Sequence, residues 1–182
     1  MTKMKLFFLF ILMWGIKPAE AADRIKFDGE VYALQEVVQI SSQDGYRNVY
    51  VRPGETPTTW NKMIVVQSYP NQKNPDEAII KIRTRYPVSP AAVPGDYTTS
   101  KHGKIFPLVL LNAKNGKPMY ESNLIRFEIT NSGLVSFQYI ERFPISNMEH
   151  TDEVLKTIEN GRDRLVQVLK KTDIPAITKE KK

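Results

Sequence analysis

The sequence predicts an α+β domain in which a mainly antiparallel sheet of about six strands is covered by helices, an α/β/α sandwich with element order βββαβββα. Three observations lead there. Short β-rich segments are separated by Gly, Asn and Pro turns too brief for crossover connections, so neighbouring strands pair as hairpins. Asn74-Pro75-Asp76-Glu77 opens a helix midway along the chain, and a longer amphipathic segment closes it.

The first strand is expected within Gly29 to Ser42, where Val31, Leu34, Val37, Val38 and Ile40 form a β-rich but imperfectly alternating run. After the Gln43-Asp44-Gly45 turn, Tyr46 to Val51 reads as a second strand, ended by Pro53-Gly54. Met63-Ile64-Val65-Val66, bounded by Pro57 and Pro70, reads as a buried third strand. In the helix that follows, Asn74 is the N-cap, Pro75 takes the first helical position and Asp76 and Glu77 face the positive end of the helix dipole. Residues 80–86 also alternate as a strand would, and the cap decides for helix.

Residues 87–104 carry Pro87, Pro90, Pro94, Gly95 and Gly103 with little periodicity, which predicts a long loop. A β-meander is expected next, over Ile105 to Ala113, Met119 to Thr130 and Leu134 to Arg142, with hairpins at Asn115-Gly116 and Asn131-Ser132-Gly133. Ser146 and Glu149 fit a capping box that opens the terminal helix, whose apolar stripe contains Val154, Ile158, Leu165 and Val168. Gly161 lies on or near that stripe, either permitting a close approach to the sheet or weakening the helix.

Residues 1–21 have the order of a secretory signal peptide, with Lys3 and Lys5 before the apolar run Leu6 to Ile16, then small residues up to a cleavage site between Ala21 and Ala22. The apolar run is about half the roughly 20 residues a membrane-crossing helix needs. No Cys follows the site, which argues against a lipid anchor. The expected mature unit is one domain over 22–174 with a solvated basic tail over 175–182, and its expected address is periplasmic or secreted. Losing Lys3, Lys5, Lys17 and Glu20 brings the net charge from +6 to +4. That modest excess, with no sustained basic stripe, argues against nucleic-acid binding. The chain has no cysteine, so thiol nucleophiles, thiolate metal sites and disulfides are excluded.

The stretch Gly54-Glu55-Thr56-Pro57-Thr58-Thr59-Trp60 running into Asn61 to Gln67, with Phe137 to Arg142 and the terminal helix, resembles small exported bacterial proteins of uncharacterised role. Their fold is similar to that of PsbP, the extrinsic photosystem subunit. The resemblance implies an accessory or binding module and carries no catalytic motif. Fold alone does not fix function.

Few residues invite chemistry. His150 beside Asp152 and Glu153 could hold a metal, but acids in a first helical turn are explained by the dipole, so no metal and no cofactor are expected. Ser100 and His102 lack an orienting third group. Glu30, Glu36, Glu121, Glu128 and Glu141 lie on or beside predicted strands, where acids mostly pair with cross-strand Lys or Arg. Trp60 could stack on a ligand or belong to the core. The long loop is the candidate contact surface, with Tyr97, Lys101, His102 and Lys104 as its binding residues, and the sheet face around Trp60 is the second candidate.

The function expected from these features is a non-catalytic exported binding or accessory protein whose partner is a protein or small ligand, with no membrane insertion after signal cleavage. The alternatives are a small hydrolase using paired carboxylates and an inhibitor or immunity-type protein. A concave site holding two carboxylates within about 10 Å would favour the hydrolase. A protruding rigid loop would favour the inhibitor.

Overall fold

A computed structural model describes residues 22–42, 44–86, 98–100 (backbone only), 103–114, 116–131, 133–146 and 151–180. Its elements are β1 (Arg24–Phe27), β2 (Glu30–Ile40), β3 (Gly45–Val51), β4 (Lys62–Tyr69), α1 (Pro75–Arg85), β5 (Thr98–Ser100), β6 (Gly103–Lys114), β7 (Lys117–Thr130), β8 (Gly133–Pro144) and α2 (Thr151–Lys171). The fold is α+β, and among the described residues the sheet has eight strands in the order β1-β2-β3-β4-β8-β7-β6-β5, not about six. Every pairing is antiparallel. Two four-stranded meanders, each followed by a helix, meet at the central β4–β8 pair.

Both additional strands sit at sheet edges. Phe27 and Glu30 flank an Asp28-Gly29 turn in which both turn residues have positive φ, 50° and 79°, so β1 returns directly into β2. The expected 87–104 loop is also corrected. Thr98 to Ser100 pair with Gly103 to Ile105, and this β5–β6 hairpin takes the last part of that segment, while 87–97 lie outside the described residues. The next outward-facing position on β6 is Pro107, which has no N–H to extend that ladder.

Alternation along β7 separates two cores. Leu124 faces the layer that contains Val166 and Leu169 of α2, with Phe27, Tyr32, Ile64 and Phe137. Ile125 and Phe127 face Ala78 and Ile79 of α1 on the opposite side. The helices therefore cover opposite faces, and Ile64, Val65 and Val66 of β4 are all buried because both sides of that strand are covered. Beside α1, the connection before β4 folds Trp60 over Val49, Val51, Val65 and Ile140.

Helix α1 begins as expected, the Asn74 side chain accepting from Asp76 N–H at 2.9 Å with Pro75 following. The Ser146–Glu149 capping box falls across residues 147–150, outside the described residues. At the far end of α2 the chain departs from the expected solvated tail. Ile174 and Ile177 pack on the α2-side core, and Thr178 is hydrogen-bonded to the buried Asn48. Arg126 is 2% exposed, donates to the Leu169 carbonyl at the C-terminal end of α2 and reaches Glu128 at 3.2 Å. A cation there complements the helix dipole and satisfies a terminal carbonyl.

Candidate functional site

Strand register builds a charged row on the face that α2 covers. Lys62 of β4 stands opposite Glu141 of β8. Its ammonium is 3.3 Å from Glu30 Oε1 and 3.7 Å from Glu141 Oε1. Arg52, just past β3, extends the row, 3.5 Å from Glu30 Oε1 and 2.5 Å from Glu55 Oε1. Two tyrosines close it from the core side. The Tyr32 hydroxyl donates to Glu30 Oε2 at 2.8 Å, and the Tyr139 hydroxyl donates to Glu141 Oε2 at 2.9 Å.

Two carboxylates thus converge on one ammonium, inside the roughly 10 Å span that catalytic carboxylates occupy in glycosidases. Their surroundings oppose that chemistry. Partial burial pushes the Glu30 carboxyl up, but the Tyr32 hydrogen bond, Lys62 and Arg52 outweigh it and hold Glu30 below the ordinary glutamate range. A general acid working near neutrality needs the opposite shift. Burial raises both phenols, and Glu30 beside Tyr32 and Glu141 beside Tyr139 raise them further, so both are weaker proton donors than free tyrosine. Of the other strand acids, Glu121 pairs with Arg142 at 2.9 Å, Glu128 with Arg126 and Glu36 is exposed.

Beside this row, α2 leaves a crevice of about 20 Å³ against the sheet. Val109, Leu124 and Tyr139 line it from the strands, and Leu155, Ile158 and Leu165 from the helix. Its polar lining includes Ser122, Glu159 and Arg162. Tyr139 belongs to both features, its ring lining the crevice and its hydroxyl bound to Glu141.

The residues singled out from sequence fall elsewhere. Trp60 is 5% exposed and belongs to the core, with the Arg142 guanidinium 3.4 Å from its ring centroid, so it offers no open stacking face. Lys104 is ion-paired to Asp76 in the first turn of α1. Tyr97, Lys101, His102, His150 and Ala21 lie outside the described residues, and Ala22 is the first residue described. Among the described residues no three His, Asp or Glu side chains are grouped to hold a metal ion. Glu30 and Glu141 stand out as strand acids, but their convergence depends on β4 joining β8, which sets Lys62 opposite Glu141, 79 residues further along the chain, a pairing for which no local signal exists.

A family model of uncharacterised role matches residues 19–174. No curated protein matches the chain. Among solved structures, LpqN of Mycobacterium tuberculosis, described as involved in cell envelope biogenesis, is similar with 13% identity and a TM-score of 0.40, covering 87% of this chain and 83% of that one.

Proposed function

The chain belongs to that family of uncharacterised role, and from this premise we propose that its mature domain is a non-catalytic binding or accessory protein that works after export. The observation that carries the proposal is the locking of Glu30 and Glu141 by Lys62, Arg52 and two tyrosine hydroxyls. Each carboxylate accepts from a tyrosine hydroxyl and is paired with a cation, and Glu30 is held below the ordinary glutamate range, the arrangement of a structural clasp and not of a general acid.

Export is proposed from residues 1–21, and no helix among the described residues is long and apolar enough to cross a membrane. Intact mass of the protein recovered from its native compartment is expected to start at Ala22, and a retained Met1 would refute export by cleavage. The finer kinship to PsbP-like folds is part of the same proposal.

The catalytic question is tested in a deletion strain complemented with the Glu30→Gln, Glu141→Gln double variant. Full restoration of the wild-type phenotype by a stably folded variant supports the binding role. Loss of the phenotype with an unchanged melting temperature would favour the hydrolase alternative.

A further inference from the structure

We propose that the sheet face beneath the C-terminal strap, residues 173–179, docks an extended segment of a partner protein, and that the strap is its resident occupant. The assignment rests on the binding role proposed above and names where the partner sits. Its first support is the way the strap is read. Asn48, 0% exposed on β3, gives both its side-chain groups to the main chain of Thr178 at 2.7 Å, a contact that recognises extended backbone whatever side chain it carries. Side chains are read on either side of it. Ile174 and Ile177 pack on the α2-side core, the Lys179 ammonium lies 5.9 Å from the Tyr46 ring centroid, and Asp173 helps keep Arg126 charged. The pattern is an acid, two aliphatic residues three apart and a cation.

The second support is that the strap can leave without the helix. Residues 174–178 are all half-buried and Lys179 is exposed. Leu169, by contrast, is fully buried at the end of α2, and Arg126 fastens its carbonyl. Segments with few buried contacts open at a fraction of the free energy of global unfolding, so the strap opens while α2 and the sheet persist.

The third support is an imperfect fit. The Tyr50 and Thr178 hydroxyls are both buried where the strap meets β3, near one another but out of hydrogen-bonding geometry, and neither has another partner among the described residues. Burial and the charge of Asp23 push the Tyr50 phenol up to about 12, against the opposing influence of Thr178, so it is a donor at neutral pH. A segment with a carboxamide in the place of Thr178 offers that donor an acceptor, and an uncharged one avoids repulsion from Asp23. The strap of a second copy would leave the same hydroxyls unpaired, so the occupant that fits best belongs to a different chain.

The test uses the mature chain carrying Ile177→Asp, which loosens the strap and leaves its docking face intact, or Thr178→Pro, which removes the N–H that Asn48 accepts, should the first misfold. The probe is a fluorescently labelled synthetic peptide with the sequence of residues 172–180, followed by anisotropy and amide chemical-shift mapping. Saturable one-to-one binding is expected, with shifts centred on residues 46–50 and 165–169. The wild-type chain should bind at least about tenfold more weakly, because its own strap competes. Thr178→Asn in the peptide should tighten binding about fivefold, and Asn48→Ala in the loosened chain should weaken it about tenfold. No saturable binding to the folded, loosened chain, or equal affinity for the wild type, would overturn the site. Dimerisation of the wild-type chain by strap exchange, read by sedimentation, would put a second copy in place of the partner protein and overturn the assignment to a different chain. The Glu30→Gln, Glu141→Gln phenotype is untouched by either failure, so the broader binding role stands or falls separately.

Discussion

Asn48 on β3 and Thr178 beyond α2 hold one another by reciprocal hydrogen bonds, Asn48 Nδ2 donating to the Thr178 carbonyl and Thr178 N–H donating to Asn48 Oδ1, both at 2.7 Å. The side-chain amide acts as a short piece of strand, fastening the C-terminal segment across the sheet while Ile174 and Ile177 settle on the core. Asn48→Ala leaves a backbone donor and acceptor without their partners, and we expect it to cost about 1–3 kcal/mol in urea unfolding. In a chain truncated after Asp173 the same substitution should add much less, because the partner is already gone. Equal costs in the two backgrounds would show that Asn48 acts through something other than Thr178.

The two glycines that flank this architecture should respond in opposite directions. A Cβ on Gly161 of α2 would meet nothing within 4 Å, so the residue only weakens the helix, and Gly161→Ala should stabilise by about 0.5–1 kcal/mol. At Gly133, where φ is 109°, a Cβ would fall 2.7 Å from Pro70 Cα and 2.9 Å from the Tyr69 carbonyl oxygen. Gly133→Ala should lose at least about 2 kcal/mol, since backbone on both sides must move. Thermal melts of the pair check both signs.

Which parts of the fold were legible follows from where their information lies. The cap at Asn74, the hairpin at Asn115-Gly116 and the stripe of α2 are local signals, and the elements formed where expected. The β1–β2 hairpin, absent from the expected elements, is equally local, because Asp28-Gly29 between Phe27 and Val31 is a strong turn signal. The charged row and the crevice have no such signature. Lys62 meets Glu141 only after the two meanders join, and Leu124 and Ile158 line one crevice only after α2 folds back on β7, so residue type identifies the candidates without assembling them. Trp60 failed as a binding residue for a related reason. The Arg142 guanidinium that occupies its ring lies 82 residues away in sequence.

Arg126 should prove a structural cation. Burial lowers its pKa, while Glu128 and Asp173 act to keep it charged. Arg126→Met removes the donor to the Leu169 carbonyl at the end of α2, and we expect a loss of about 1–3 kcal/mol together with faster amide exchange in the last turn of that helix. Destabilisation with unchanged exchange there would place the role of Arg126 elsewhere in the core.

Acid should loosen the charged row. Burial raises the carboxyls of Glu30 and Glu55, but hydrogen bonds and cations outweigh it in both cases, so each is more acidic folded than unfolded. The unfolded chain then binds more protons between the two values. The stabilisation is fully present above the unfolded glutamate pKa, roughly 4.3, and is lost as pH falls through the folded values. The melting temperature should drop on acidification in this window, and Glu30→Gln with Glu55→Gln should flatten that drop while lowering stability at neutral pH. An acid limb of the same steepness in the double variant would contradict the assignment.

The claim that the convergent carboxylates form a clasp and not a catalytic pair is tested most directly by following the side-chain carboxyl carbon of Glu30 through a pH titration by NMR. We predict a midpoint below the ordinary glutamate value, with the carboxylate ionised throughout the neutral range. A midpoint raised toward neutrality, the signature of a general acid, would contradict the non-catalytic account.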